Sequence, residues 1–361
     1  MLATADQMVD LIKAMFMGAG SAEGEALAIG RNLVEANLAG HDSHGIGMVP
    51  RYIENARKGG LTPNAHVNVV SDNGTIVQID GNMGYGQVTG AESMAIGLDK
   101  ARDGGVGIVA RRNTHHLGRI GAWGEICAAA GFISIHYVNA FGHMPLVVPF
   151  GGTDPCYTTN PYCTAIPATD ENPPIILDMA TSKVAMGKIR VAYNKGVEAP
   201  EDALIGPNGM ATRDPGVMFR EPRGALLPFG EHKGYGLALI CEVLAGALTN
   251  GGAYMPEREA RDTIVNNMLT VILDPAAIGD AAVFAREIDG ITARVKASPP
   301  EPGVDAVMVA GDPERKSRAE READGIPIDA TTWEQIIDAA DSVGLSATAV
   351  AKLAPGVPAI A

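Results

Sequence analysis

The chain has 361 residues, 28 Lys and Arg against 42 Asp and Glu for a net charge of −14, and 46% hydrophobic against 19% charged residues. That length predicts about two domains with a full hydrophobic core, and the composition excludes a disordered chain, while the acidic balance without a basic block argues against nucleic acid or anionic membrane as partners. No apolar run reaches the ~18 residues of a membrane helix, the N-terminus lacks a basic cleavable leader, and Cys127, Cys156, Cys163 and Cys241 form no CxxC pair. The expectation is a cytoplasmic protein in a reducing compartment, with no membrane partner and no structural metal.

In chain order, Met8, Leu11, Ile12, Met15 and Phe16 recur at helical spacing behind Thr4 as N-cap, and Ser21 opens a second helix that stops near Gly40. HDSHG (41–45) precedes a helix over 49–58. The strands VNVVS and TIVQID flank Asp72-Asn73-Gly74, a hairpin signal. A helix over 91–102 leads through Gly104-Gly105 to the strand VGIVAR, the loop RNTHHLGR, a helix over 120–130 and the strand ISIHYVN, a βαβ-like succession. Beyond a Pro- and Gly-rich stretch come the short strands YCTAIP and IILDM, and a helix capped by Thr181 or Ser182. A loop over 196–222 runs to PFGEHKGYG and the apolar helix LALICEVLAGAL. The strand MLTVILD, a helix through Ala293 and the strand AVMVAG follow. Asp312 and Pro313 start a charged helix with Glu314/Arg318 and Arg318/Glu322 as i,i+4 pairs, and Thr331 with Glu334 makes a capping box for the next helix. The class is mixed α/β, helical at both ends.

Gly84-x-Gly86-x-x-x-Gly90, with Arg111 and Arg112 ending the next strand, imitates a dinucleotide fingerprint. The context opposes that reading: the preceding strand closes a tight hairpin, and Gly81-Asn82-Met83 intervene between it and the first glycine. A Gly-rich turn with close backbone approach fits better. Three clusters could carry chemistry. In Asp42-Ser43-His44-Gly45, His44 is either an acid or base beside a hydroxyl and a carboxylate, or the exposed end of a capping turn; a His41/His44 metal pair lacks a third ligand at recognisable spacing. In Asn113 to Arg119, at the C-terminal end of a strand, a histidine can exchange a proton with a hydroxyl or carbonyl and Arg119 can hold a carboxylate; the alternative is a polar capping loop. PFGEHKGYG, with Lys233 at a helix start, and DMATS (178–182) offer backbone donors to an anionic ligand or simply cap their helices. Lys183, Lys188 and Arg190 near DMATS could reach a phosphate or be solvated helix charges.

The stretches HDSHGIGMVPRYIENARKGG, RNTHHLGRIGAWGEICAAAGFISIH, TTNPYCTAIP, ILDMATSKVAMGKIRVAYNKG, LLPFGEHKGYGLALICEVLAG and ERKSRAEREADGIPID, in order over about 40–330, resemble the type 2 malate/L-lactate dehydrogenase family of NAD(P)H-dependent 2-oxoacid reductases. The resemblance implies a non-Rossmann fold with a largely antiparallel central sheet, and a mainly helical part (1–75 plus 312–361) beside an NAD(P)-binding and catalytic region (76–311). It implies a homodimer and hydride transfer between NAD or NADP and C2 of a small 2-oxo or 2-hydroxy acid, malate- or lactate-like or aromatic. His116 matches a histidine proposed as proton acceptor in one member, and His44 one proposed as donor in another. Asp178, Met179, Ala180, Thr181, His232, Lys233 and Gly311, Asp312 and Pro313 match cofactor-binding positions, and Ser43 and Tyr52 fall to the substrate side. Several members carry an arginine where this chain has Met48. Arg119 is then expected to anchor the substrate carboxylate, with Met48 leaving room for an apolar or aromatic side chain. Two alternatives remain: reduction of a cyclic imine (piperideine-2-carboxylate), and nucleotide binding without turnover.

Overall fold

The computed structural model describes residues 1–255 and 262–357. Strand β1 (Leu2–Ala3) leads into α1 (Ala5–Gly18). Thr4 closes α1 with a capping box: its hydroxyl accepts from the Gln7 N–H (3.3 Å) and Gln7 Oε1 accepts from the Thr4 N–H (3.0 Å). Helix α2 (Glu23–Leu38) begins two residues after Ser21, behind Ala22, whose N–H is taken by Asn64 Oδ1 at 2.7 Å. Next come α3 (Val49–Arg57), the hairpin β2 (Asn68–Asn73) and β3 (Ile76–Asp80), α4 (Gly86–Gly104), β4 (Val106–Thr114), α5 (Gly121–Ala129) and β5 (Ile133–Phe141). The middle of the chain supplies β6 (Tyr162–Ile166), β7 (Ile175–Met179), α6 (Met186–Lys195), the short strands β8 (Leu204–Ile205), β9 (Ala211–Thr212) and β10 (Ala225–Leu226), and α7 (His232–Cys241). Strand β11 (Val265–Leu273), helices α8 (Pro275–Ile278), α9 (Ala281–Lys296) and α10 (Asp312–Asp324), β12 (Ile326–Pro327), α11 (Ala330–Ser342) and α12 (Ala347–Leu353) complete it.

Among the described residues the main sheet runs β2-β3-β4-β11-β5-β6-β7. It is mixed rather than simply antiparallel: β3 and β4, joined through α4, run parallel, while the other neighbours are antiparallel. Met94 and Leu98 of α4 and Trp123 and Cys127 of α5 pack on its inner face with Val138, Cys163 and Met268. A second core joins the two ends of the chain. Phe16, Leu33, Tyr52 and Leu61 meet Ile326, Trp333, Ile336 and Val350, and β1 pairs with β12. Because β2 belongs to the main sheet, the sheet starts before residue 76, where the catalytic region was expected to begin; residues 358–361 of the expected helical part lie outside the described residues.

Several local expectations give way to tertiary packing. Residues 306–311 form no strand; the segment is partly buried and meets the β7 edge through one bond, Ile176 N–H to the Ala310 carbonyl (3.2 Å). Neither Thr181 nor Ser182 caps α6, whose N-cap is Ala185. Asp329, not Thr331, caps α11, accepting from the Thr332 N–H at 2.9 Å. Within α10 the charges reach across rather than along the helix: Arg318 pairs with Glu35 and Glu125 (both 3.2 Å) and Glu314 with His41 (3.2 Å). No helix of the described residues is long and apolar enough to cross a membrane.

Candidate active site

Two loops hold the candidate histidines, and each is built by close packing. The Asp42–His44 turn follows α2, where Asn37 organises it: its Oδ1 accepts from the Ile46 N–H (2.7 Å) and its Nδ2 donates to Asp42 (2.6 Å). Arg321 grips the Asp42 carboxylate with two bonds of 2.6 and 3.0 Å, so Asp42 is a structural group that fixes its neighbour His44. Gly45 is obligatory, since a Cβ there would fall 2.0 Å from Asn37 Oδ1. The His115–Arg119 loop leaves β4 and is tied by the Leu117 N–H to Asn266 Oδ1 (2.8 Å) and the His115 N–H to the Gly84 carbonyl (3.1 Å). A Cβ on Gly86 would stand 2.2 Å from the His116 carbonyl oxygen, and one on Gly90 2.5 Å from the Trp123 ring. The glycine pattern therefore seats α4 against the His116 loop and α5.

The loops bring His44 and His116 together, their rings stacked with centroids 5.4 Å apart and 22° between planes. Ser43 Oγ lies 2.9 Å from His44 Nδ1. Tyr52 Oη sits 2.6 Å from His116 Nδ1 and accepts from Gln87 Nε2 at 3.1 Å. A phenol both donates and accepts, so Nδ1 stays satisfied whichever tautomer is present, and Nε2 is left to exchange a proton. Tyr52, expected on the substrate side, is fully buried and turns its hydroxyl to His116. Burial, reinforced by His44, His115 and His143, pushes His116 well below the usual histidine range. His44 is lowered to about 4 by burial, then by His41 and Arg119. Both rings are neutral at pH 7; approach of an anion would raise them.

A cleft in two lobes surrounds the pair, with His44, Ser43, Thr159 and Ala185 shared between them. One lobe, of about 540 Å³, is lined by Asp178, Met179, Ala180 and Pro313, four of the expected cofactor positions, with Lys183 and Lys188 at its wall. Asp178 accepts from the Gly121 N–H (2.7 Å), and burial raises its pKa against the pull of His41, that N–H and Arg119. Arg119 also faces this lobe, buried and paired with Glu125 at 2.5 Å, its Nε and Nη1 without a partner. It is not among the residues lining the other lobe, where His116 lies. Thr181 is fully buried and spends its hydroxyl on the Thr159 carbonyl (2.9 Å). Gly311 has φ +95° and lets α10 approach β7. Asp312 is held down to about 2, against its burial, by the Val309 N–H, Arg315 and Lys296. His232 and Lys233 lie on the exposed first turn of α7, outside the cleft lining, although Phe229 just before them reaches it.

The second lobe, of about 470 Å³, holds His116, Met48, Arg51, His143, Arg190 and Phe219 among its walls. His143 was not singled out in the sequence; it falls in a Pro- and Gly-rich stretch with no periodicity to place it. Arg190 faces this lobe, apart from Lys183 and Lys188. Among the described residues no group of three His, Cys, Asp or Glu side chains could hold a metal ion.

Residues 3–337 match the family model described as malate/L-lactate dehydrogenase, and the chain belongs to that family. Among its relatives, hydroxycarboxylate dehydrogenase B of Escherichia coli K12 is 45% identical over 94% of both chains, and an L-lactate dehydrogenase of Cupriavidus necator is 37% identical over 88% of this chain and 91% of its own. The structure of a provisionally assigned malate/lactate dehydrogenase from E. coli superimposes with a TM-score of 0.93 at 43% identity, covering 98% of each chain.

Proposed function

We propose that the protein is an NAD(P)-dependent dehydrogenase that interconverts a 2-oxo acid and a 2-hydroxy acid, in the manner of its hydroxycarboxylate and lactate dehydrogenase relatives. The observation that carries this is the stacked His44–His116 pair at the junction of two lobes, one with Lys183 and Lys188 at its wall and one walled by Met48, Leu146, Met186 and Phe219. The first lobe suits a dinucleotide: Lys183 and Lys188 have no acidic partner among the described residues, and two buried Arg119 nitrogens are unpartnered. Asp178, Met179, Ala180, Lys183, Lys188 and Pro313 would hold the cofactor there, and a bound nicotinamide would supply or take the hydride at C2.

On the protein's side, His116 Nε2 gives a proton to the C2 oxygen in reduction and takes it back in oxidation. Tyr52 holds the ring through Nδ1, and His44, braced by Ser43, hydrogen-bonds the same oxygen or polarises it. A low His116 pKa makes it a strong acid that is sparsely protonated, so reduction is favoured toward acid pH and oxidation proceeds readily at neutrality. Met48, Leu146, Met186 and Phe219 line the second lobe, favouring an apolar or aromatic substituent over a second carboxylate.

The test is the initial rate of NADH and NADPH oxidation with pyruvate, oxaloacetate, phenylpyruvate and piperideine-2-carboxylate. Turnover of phenylpyruvate above oxaloacetate is expected. Turnover of the imine alone would replace the keto-acid reading, and cofactor binding without any turnover would remove the enzymatic one.

A further inference from the structure

We infer that Arg190 receives the substrate's carboxylate, an assignment that rests on the 2-oxo acid reading above. A carboxylate moved from water into a partly closed, apolar lobe needs a counter-charge with free donors. Two arginines line the lobe that holds His116. Arg51 is already committed, to Glu54 at 3.4 Å and to Asp262 at 3.1 Å. Arg190, half-buried, has no acidic partner among the described residues, and none of the residues lining the lobe is acidic. Its five N–H donors are therefore available in the planar fork that matches a carboxylate.

The local fold explains how a helix residue is delivered there. Helix α6 can abut the Asp42–His44 turn only because Gly187 lacks a side chain; a Cβ would lie 2.3 Å from that of Ser43. Met186 and Arg190, four residues apart, then share the face turned to the His116 lobe, while Lys188 falls on the other lobe. Arg190 Nη2 reaches to 3.8 Å from where a Gly47 Cβ would stand, placing the guanidinium beside the turn that carries Met48. The cation thus sits at the wall next to the side chain that offers no charge of its own.

The experiment compares wild type, Arg190→Met and Arg190→Lys with phenylpyruvate and with its primary amide, which has the same shape and no charge. In wild type the acid is preferred. In Arg190→Met, kcat/KM for the acid falls about 100-fold, chiefly through KM, as for loss of one partner of a desolvated charge pair. The acid-over-amide ratio collapses toward one, and Arg190→Lys restores part of it. NADH affinity, measured by fluorescence, stays at the wild-type value and shows that the fold is intact. An unchanged acid-over-amide ratio in Arg190→Met overturns the assignment. Should wild type turn over no 2-oxo acid, the reaction reading fails separately. Calorimetric binding of phenylpyruvate to the NADH-loaded protein then decides, undiminished affinity in Arg190→Met counting against Arg190.

Discussion

Acid should destabilise this protein through its buried histidines, by an amount that can be worked out. His115 and His136 are fully buried, and burial lowers each to about 3, with Arg51 and Arg111 respectively adding to the effect. Both are neutral when folded and have partners suited to that state: Asn55 Nδ2 donates to His115 Nε2 (2.8 Å), and His136 lies between Thr270 Oγ1 (3.0 Å) and Ser134 Oγ (2.9 Å). The unfolded chain protonates them below its ordinary pKa of about 6.5. Their stabilising contribution is therefore complete above that pH and lost progressively as pH falls toward 3. By pH 5 each costs about 2 kcal/mol, together about 4, a large part of a typical 5–15 kcal/mol stability. Urea unfolding of wild type and His136→Gln at pH 7 and pH 5 tests this. The variant should lose about 2 kcal/mol less than wild type across that interval. Equal losses in the two proteins would refute a neutral, buried His136.

Gly86→Ala should gain helix propensity at the start of α4 yet destabilise the protein by about 2 kcal/mol or more, because the new methyl meets the His116 backbone; urea unfolding and kcat should both register it. Tyr52→Phe, which removes the partner of His116 Nδ1, should lower kcat about 10–100-fold and stability by about 1–3 kcal/mol, leaving NADH affinity unchanged in a fluorescence titration. Lys183→Ala with Lys188→Ala should weaken dinucleotide binding about 10-fold or more, a loss that shrinks in high salt. An undiminished affinity would move the cofactor phosphates elsewhere.

What could be read from the sequence was mostly what local chemistry specifies. The Thr4 cap and the apolar stripe of α1 formed as their patterns require, and the hairpin formed with its turn shifted to Gly74-Thr75, Asp72 and Asn73 pairing within β2. The two histidine loops stood out because polar, proton-carrying residues follow breaks in periodicity. The rest depended on packing between distant segments. Arg190 reads in sequence as one more charge on a helix, and only the Gly187–Ser43 contact turns it into the cleft. Arg119, three residues beyond His116, reads as the natural anchor; the fold turns it to the lobe of Asp178 and Met179 and gives one of its nitrogens to Glu125, one turn into α5. The run 306–311 has the apolar content of a strand, yet it meets the free edge of β7 through a single backbone bond and forms no ladder there. Thr331 lost the capping position to Asp329, whose carboxylate meets the first free N–H groups of α11 more strongly than a hydroxyl does.

The central claim is that His116 moves the proton, and the most direct measurement is the pH dependence of kcat/KM for 2-oxo acid reduction in wild type and His116→Gln. With the free-enzyme pKa of His116 below its usual range, log kcat/KM in wild type should fall with a slope near −1 from about pH 6.5 to 9, the acid being ever less protonated. The variant should be slower by a factor of about 100–10,000 and nearly flat across the same range. A His116→Gln protein that retains both the slope and most of the rate would assign the proton to another group, His44 first among them.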